Sequence, residues 1–195
     1  MKTNRLEAFS DGVLAIIITI MVLEMKVPEG TEISVLLPLL PVFLSYLLSF
    51  VYIGIYWNNH HHLLHTTDKV NGNILWANMH LLFWLSLVPF TTGWMGKNHF
   101  EPIPCALYGF VLLMAGFAYW LLQQTIINAM GKNSVLAKAI GKDYKGKTSV
   151  LLYAAAIPLS FLHVAFAAAI YVGIALLWLV PDKRIESQLS ELKSN

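Results

Sequence analysis

The chain has 195 residues, 57% of them hydrophobic and 12% charged, about half the roughly 25% charged share of an average soluble domain. Its mean hydropathy of +0.62 points the same way, and a formal net charge of +2 is too small to argue for a nucleic-acid partner. No Asp, Glu, Lys or Arg occurs from Ile33 to Thr67, Val70 to Gly96, Pro102 to Gly131 or Thr148 to Pro181. Each gap can cross a hydrocarbon core, which needs ~20 helical residues. A soluble globular enzyme is thereby excluded, and with Cys105 as the single cysteine so is a disulfide framework.

The first element is the least obvious. Gly12–Leu23 is an apolar run of 12 residues between Asp11 and Glu24, the length of a signal-peptide apolar region. Glu7 and Asp11 precede it, however, and Met25-Lys26-Val27-Pro28 offers no small-x-small cleavage site. Such a run is too short for a lipid-exposed span, but a helix with charged ends crosses when other helices shield it or when it lines water. Ile33–Thr67 holds one long span, with Pro38 and Pro41 near its start, where missing N–H groups cost least. Val70–Gly96 and Pro102–Gly131 hold one span each. Thr148–Pro181 carries Pro158 and a Ser160/His163 break, and it divides into two shorter helices, roughly Ser149–Leu162 and His163–Leu179. The count is six helices, the first of them internal.

Six spans leave both termini on one side, and basic residues decide which. Lys2, Arg5, Lys69, Lys132, Lys138, Lys142, Lys145, Lys147, Lys183, Arg184 and Lys193 collect there, against Lys26 and Lys97 opposite. Both termini are therefore expected in the cytoplasm, in a multi-pass protein of the plasma (inner) membrane. The Lys-rich stretch Gly131–Lys147 is a cytoplasmic connector or a surface helix near anionic headgroups.

At 100° per residue, Phe9, Gly12, Ile16, Thr19, Ile20 and Leu23 share one stripe of the first helix, while Ser10 and Asp11 face elsewhere. Packing against a neighbouring helix explains such a stripe as readily as a function does. A carboxylate two turns into a membrane is costly unless paired, so Asp11 marks a structural or functional site. Donors at its depth are Trp57, His60, His61 and His65 at the end of the second helix, and Trp76, Asn78 and His80 at the start of the third. Imidazoles at i, i+4 also chelate metals, but no cysteine or second carboxylate converges, and the cluster serves equally as a hydrogen-bond network. No hydrolase, nucleotide-binding or thiol-redox motif is present, nor a selectivity-filter loop of the Thr-Val-Gly-Tyr-Gly type.

Arg5-x-x-x-Phe9-Ser10-Asp11-Gly12, running into Ile16-Ile17-Ile18-Thr19-Ile20-Met21-Val22-Leu23-Glu24, resembles the signature first helix of the transmembrane protein 175 (endolysosomal-type) potassium-channel family. The likeness continues in Tyr56-Trp57-x-x-His60-His61, Trp76-x-Asn78, Pro89-Phe90-x-Thr92 and Val180-Pro181-Asp182-Lys183-Arg184-Ile185-Glu186; the single-repeat length suggests the prokaryotic branch. One departure is His62, where many relatives carry arginine. The resemblance implies an all-α membrane protein with a six-helix channel domain over 1–181, a short polar tail over 182–195, and no enzymatic activity. It also implies a homotetramer in the bilayer with a central pore lined by the first helix, modestly selective for potassium over sodium. By position, the hydrophobic constriction would be Ile16, with Thr19, Ile20 and Leu23 along the ion path. Arg5, Phe9, Ser10 and Asp11 would anchor the first helix, partnered by Trp57, His60, His61 and Asn78. Potassium ions are the permeant partner; no cofactor, metal or nucleic acid is expected. Glu24 and Glu32 stand near the outer mouth, as cation-attracting or simply solvated carboxylates. The alternatives are a proton-coupled transporter using an Asp11/His network and a haem or metal membrane protein.

Overall fold

A computed structural model describes residues 3–67, 70–131, 134–141 and 143–179. Lys2, Lys69, Lys132, Lys142 and the ending from Val180, with Lys183, Arg184 and Lys193, lie outside the described residues.

Helix α1 runs over Thr3–Leu23, which at 1.5 Å per residue is about 31 Å, a full bilayer core. It is longer than its apolar run because the polar segment before Gly12 is helical too. A 3₁₀ turn over Ile33–Leu39, containing Pro38, precedes α2 (Leu40–His65). The regular helix therefore starts later than the charge-free stretch, since Pro38 and Pro41 cannot donate to the preceding turn. The third apolar stretch is broken into α3 (Gly72–Ser86) and α4 (Val88–Lys97). Pro89 has no N–H for the Leu85 carbonyl, and the Leu87 N–H turns back to Trp84 and Leu85 instead. Helix α5 (Pro102–Met130) is unbroken, about 43 Å long at the same rise.

Within the Lys-rich connector, Val135–Ile140 forms a short helix, α6, capped by Ser134. Asp143, in the left-handed conformation that Asp tolerates, accepts the Gly146 N–H and starts α7 (Tyr144–Leu162) ahead of the expected Ser149. His163 is extended; its N–H closes α7 on Leu159, and its Nδ1 accepts from Ala165 at the start of α8 (Val164–Leu179). The final apolar stretch is thus a helical pair, as its Pro158 and His163 suggest.

Among the described residues, four segments are long and apolar enough to cross a membrane: Thr3–Leu23, Ile33–His65, Gly72–Lys97 and Pro102–Met130. Val164–Leu179 is apolar but shorter. Helix α5 packs on both α3 and α7, α2 on α4, and α1 along α2, α3 and α4. One buried cluster joins Leu6, Leu14, Ile17 and Met21 of α1 to Ile53, Leu63, Leu81, Leu85 and Leu122; a second gathers Tyr52, Tyr108, Tyr153 and Tyr171. Lipid tails are as apolar as leucine, so close approach rather than hydrophobic exclusion holds such helices together. Two glycines show it. A Cβ on Gly96 would meet Val42 Cα at 2.8 Å, and one on Gly109 would fall on the Tyr171 hydroxyl.

Candidate functional site

Helix α1 has two unlike faces. Its inward face buries Thr3, Leu6, Ser10, Leu14, Ile17 and Met21, at the i, i+3, i+4 spacing of a helix stripe. The stripe of Phe9, Gly12, Ile16, Thr19, Ile20 and Leu23 is exposed along the whole helix, Ile16 to 60% and Leu23 to 75%. Arg5 is exposed on the same side. Ile17, next to Ile16, is only 3% exposed.

The inward face is held by polar contacts at the Lys-rich end. The Thr3 hydroxyl donates to the Thr67 carbonyl at 2.6 Å. The Ser10 hydroxyl donates to the Leu6 carbonyl at 2.9 Å and accepts from Asn78 Nδ2 at 3.0 Å. The Asn78 oxygen in turn accepts from His60 Nε2 at 2.7 Å, which sets the imidazole tautomer with Nδ1 as the unprotonated atom. Ser10, His60 and Asn78 are all buried, so α1, α2 and α3 are stitched at one level.

A second row lies nearer the surface. Asp11 is half-buried and accepts from Trp57 Nε1 at 3.0 Å. Glu7 pairs with His61 Nδ1 at 2.7 Å. Trp57, His61 and His65 form a column, with ring centroids 6.3 Å and 4.5 Å apart. Glu7 is not singled out by the sequence motif; its place one turn before Asp11 was the signal for it. Trp76 and His80 do not join this network: Trp76 is exposed and His80 accepts from Trp84 Nε1 at 3.0 Å. Among the described residues no group of three His, Cys, Asp or Glu side chains converges to hold a metal.

Sequence reasoning also passed over a buried hydroxyl cluster behind α1. Ser49 bonds Thr92 at 2.7 Å and Tyr108 at 3.0 Å, Tyr52 donates to the Tyr171 carbonyl, and Tyr171 to the Cys105 carbonyl. Tyrosines in the middle of apolar helices were the available signal, since each buried hydroxyl needs a partner. At the opposite end of α1, Glu24 forms an ion pair with Lys97. That pairing offsets its charge. Glu32 is exposed at the N-cap of the 3₁₀ turn, where its side chain makes no capping hydrogen bond.

Four apolar segments of spanning length, stitched by buried hydrogen bonds, define a polytopic all-helical membrane protein. The sequence profile described as "Endosomal/lysosomal potassium channel TMEM175" matches residues 5–89. A potassium channel of Chryseobacterium sp. (strain P1-3) is 56% identical over 191 residues, covering 98% of this chain and 100% of that one. A potassium channel of Chamaesiphon minutus is 32% identical over 190 residues, 87% of this chain and 93% of its own. The chain belongs to the TMEM175 family, a family of ion channels rather than enzymes. Its fold is that of the crystal structure of a lysosomal potassium-selective channel TMEM175 homolog from Chamaesiphon minutus. The TM-score is 0.81 at 28% identity, over 92% of this chain and 97% of that one. Relatives named as channels do not favour the transporter or haem alternatives.

Proposed function

We propose that four copies of this chain form a potassium-permeable cation channel in the plasma membrane, with α1 of each copy lining a central pore. In this reading α7 and α8 also cross, giving six spans with both termini in the cytoplasm, and 182–195 is a short tail. The observation that carries it is the uncovered face of α1. A spanning helix tethered by buried hydrogen bonds on one side leaves Phe9, Ile16, Ile20 and Leu23 exposed on the other. One such helix cannot enclose a path; a symmetric ring of them can.

Ile16 is the narrowest ring of that path. Branched carbons offer no substitute for the water around an ion, so a tight ring closes by dewetting. A slightly wider ring favours potassium, which releases water more readily than sodium, and discrimination built this way is modest. The Thr19 hydroxyl spends its hydrogen on the Ala15 carbonyl at 2.8 Å and is exposed, which leaves its oxygen lone pairs for a passing cation. Ser10 and Asp11 anchor the helix through Asn78, His60 and Trp57, while Glu7–His61 braces it at the rim. The mechanism needs no cofactor or resident metal besides permeant potassium.

Liposome flux, measured separately for potassium and sodium, tests this reading. Ile16→Ala and Ile16→Asn should both raise flux per assembled channel, and Ile16→Ala should narrow the difference between the two ions. Flux unchanged by both substitutions removes Ile16 from the ion path. Crosslinking in membranes should give a tetramer; a dimer or monomer rejects the pore altogether.

A further inference from the structure

We propose that the half-enclosed cavity between α2, α5 and α7 binds one acyl chain of an anionic phospholipid, with the headgroup phosphate at Lys147. The cavity has a volume of about 540 Å³, within the roughly 300–1,000 Å³ of sites that hold small ligands. Its lining comes from α2, α5, α7 and Trp178 of α8, and no α1 residue lines it.

Its two ends differ in chemistry. Asn59, Gln123 and Lys147 line one end; Tyr52, Gly116 and Tyr153 line the other. Six or seven helical positions separate these ends on each helix, so the cavity is about 10 Å long along the helix axes. Ile55, Phe117, Trp120, Val150 and Leu151 wall it, and such a wall offers water too few partners. An acyl chain matches that lining.

The polar end asks for an acceptor. Gln123 is only 4% exposed, and its Nε2 has no hydrogen-bond partner. A buried donor in this state costs free energy; the Nε2 atom is sealed as it stands, so the carboxamide turns toward the slot when a lipid ester carbonyl, one step inside the phosphate, arrives to accept from it. The charge at the rim is positive. The Asp143 carboxylate accepts the Gly146 N–H at 3.2 Å and keeps its charge, but two lysines outnumber it: Lys147 is exposed, and the Lys145 ammonium lies 4.6 Å from the Trp178 ring centroid. An exposed lysine beside an apolar slot selects an anionic headgroup over a zwitterionic one.

Native mass spectrometry of the intact protein, equilibrated with phosphatidylglycerol or phosphatidylcholine vesicles and then delipidated, tests the site. One phosphatidylglycerol per chain should be retained. A Cβ at Gly116 meets nothing closer than 3.8 Å, so Gly116→Leu projects into the cavity and should cut retention about tenfold or more. Lys147→Gln should keep a lipid but reduce the preference for phosphatidylglycerol about fivefold, the weight of one basic residue near an anionic surface. If Gly116→Leu does not fold, vesicles with brominated chains give the answer on the native sequence. Brominated phosphatidylglycerol should then quench tryptophan fluorescence more than brominated phosphatidylcholine, through Trp120 and Trp178, and Lys147→Gln should reduce that excess. Equal retention in Gly116→Leu, no headgroup preference, or no retained lipid at all overturns the proposal; the last result means that a neighbouring subunit or detergent fills the slot.

Discussion

Replacing Asn78 by alanine tests whether buried hydrogen bonds hold α1 in place. The carboxamide joins two partners, donating to Ser10 Oγ at 3.0 Å and accepting from His60 Nε2 at 2.7 Å. Ser10 loses little in Asn78→Ala, because its own hydroxyl proton is already satisfied by the Leu6 carbonyl at 2.9 Å. His60 loses everything: it is 2% exposed, its Nδ1 already lacks a partner, and its Nε2 proton is left bare. One orphaned buried donor costs ~1–3 kcal/mol, and the truncated carboxamide leaves a void, so roughly 2–4 kcal/mol is expected in all. For a chain of this size that lowers the unfolding temperature by about 4–16 °C. Thermal unfolding in mild detergent, followed by circular dichroism, reads the shift. Ser86→Ala on the exposed side of α3 is the control. A cycle with His60→Ala should show coupling above about 0.5 kcal/mol. If Asn78→Ala melts with the control, or the two changes simply add, the stitch does not hold α1.

Asp11→Ala removes one bond from a half-exposed Trp57, so it should lower stability by about 1 kcal/mol and less than Asn78→Ala; the same melting assay ranks them. Ile17→Ala should cost about 2–5 kcal/mol through cavity formation, whereas Ile16→Ala, exposed within the chain, should change flux more than the stability of the subunit; paired melting and liposome measurements separate the two. Gly96→Ala should lose about 1–3 kcal/mol by overpacking α4 on α2, since its Cβ would meet the Ser45 hydroxyl and the Val42 backbone; an unchanged melting temperature would refute that close approach.

Much of this molecule is local and therefore legible in its sequence. Charge-free gaps mark where a backbone can enter lipid, because any helix there satisfies its own hydrogen bonds. His163 marks where the last apolar stretch divides, and Val70–Gly96 holds one span as its lack of charge implies, but the break between α3 and α4 inside that span needed the backbone around Leu87. The 100° period puts Ile16 and Ile17 on different faces, whatever the rest of the chain does. What periodicity cannot supply is how far each helix is rotated and slid against the next. That depends on a few close approaches, such as Gly96 against Val42 and Gly109 against Tyr171. Helix placement of this kind decides that Asn78 reaches Ser10 and that Glu7 rather than Asp11 meets His61, whereas the His80–Trp84 bond lies within α3 and follows from its i, i+4 spacing. The same placement brings Ser49, Thr92 and Tyr108 together from three helices and leaves an open slot beside Gln123. The faces of the helices were written in the sequence; which polar groups meet across them was decided by packing, since a hydrogen bond needs its partner within about 3 Å and spacing along the chain carries no such distance.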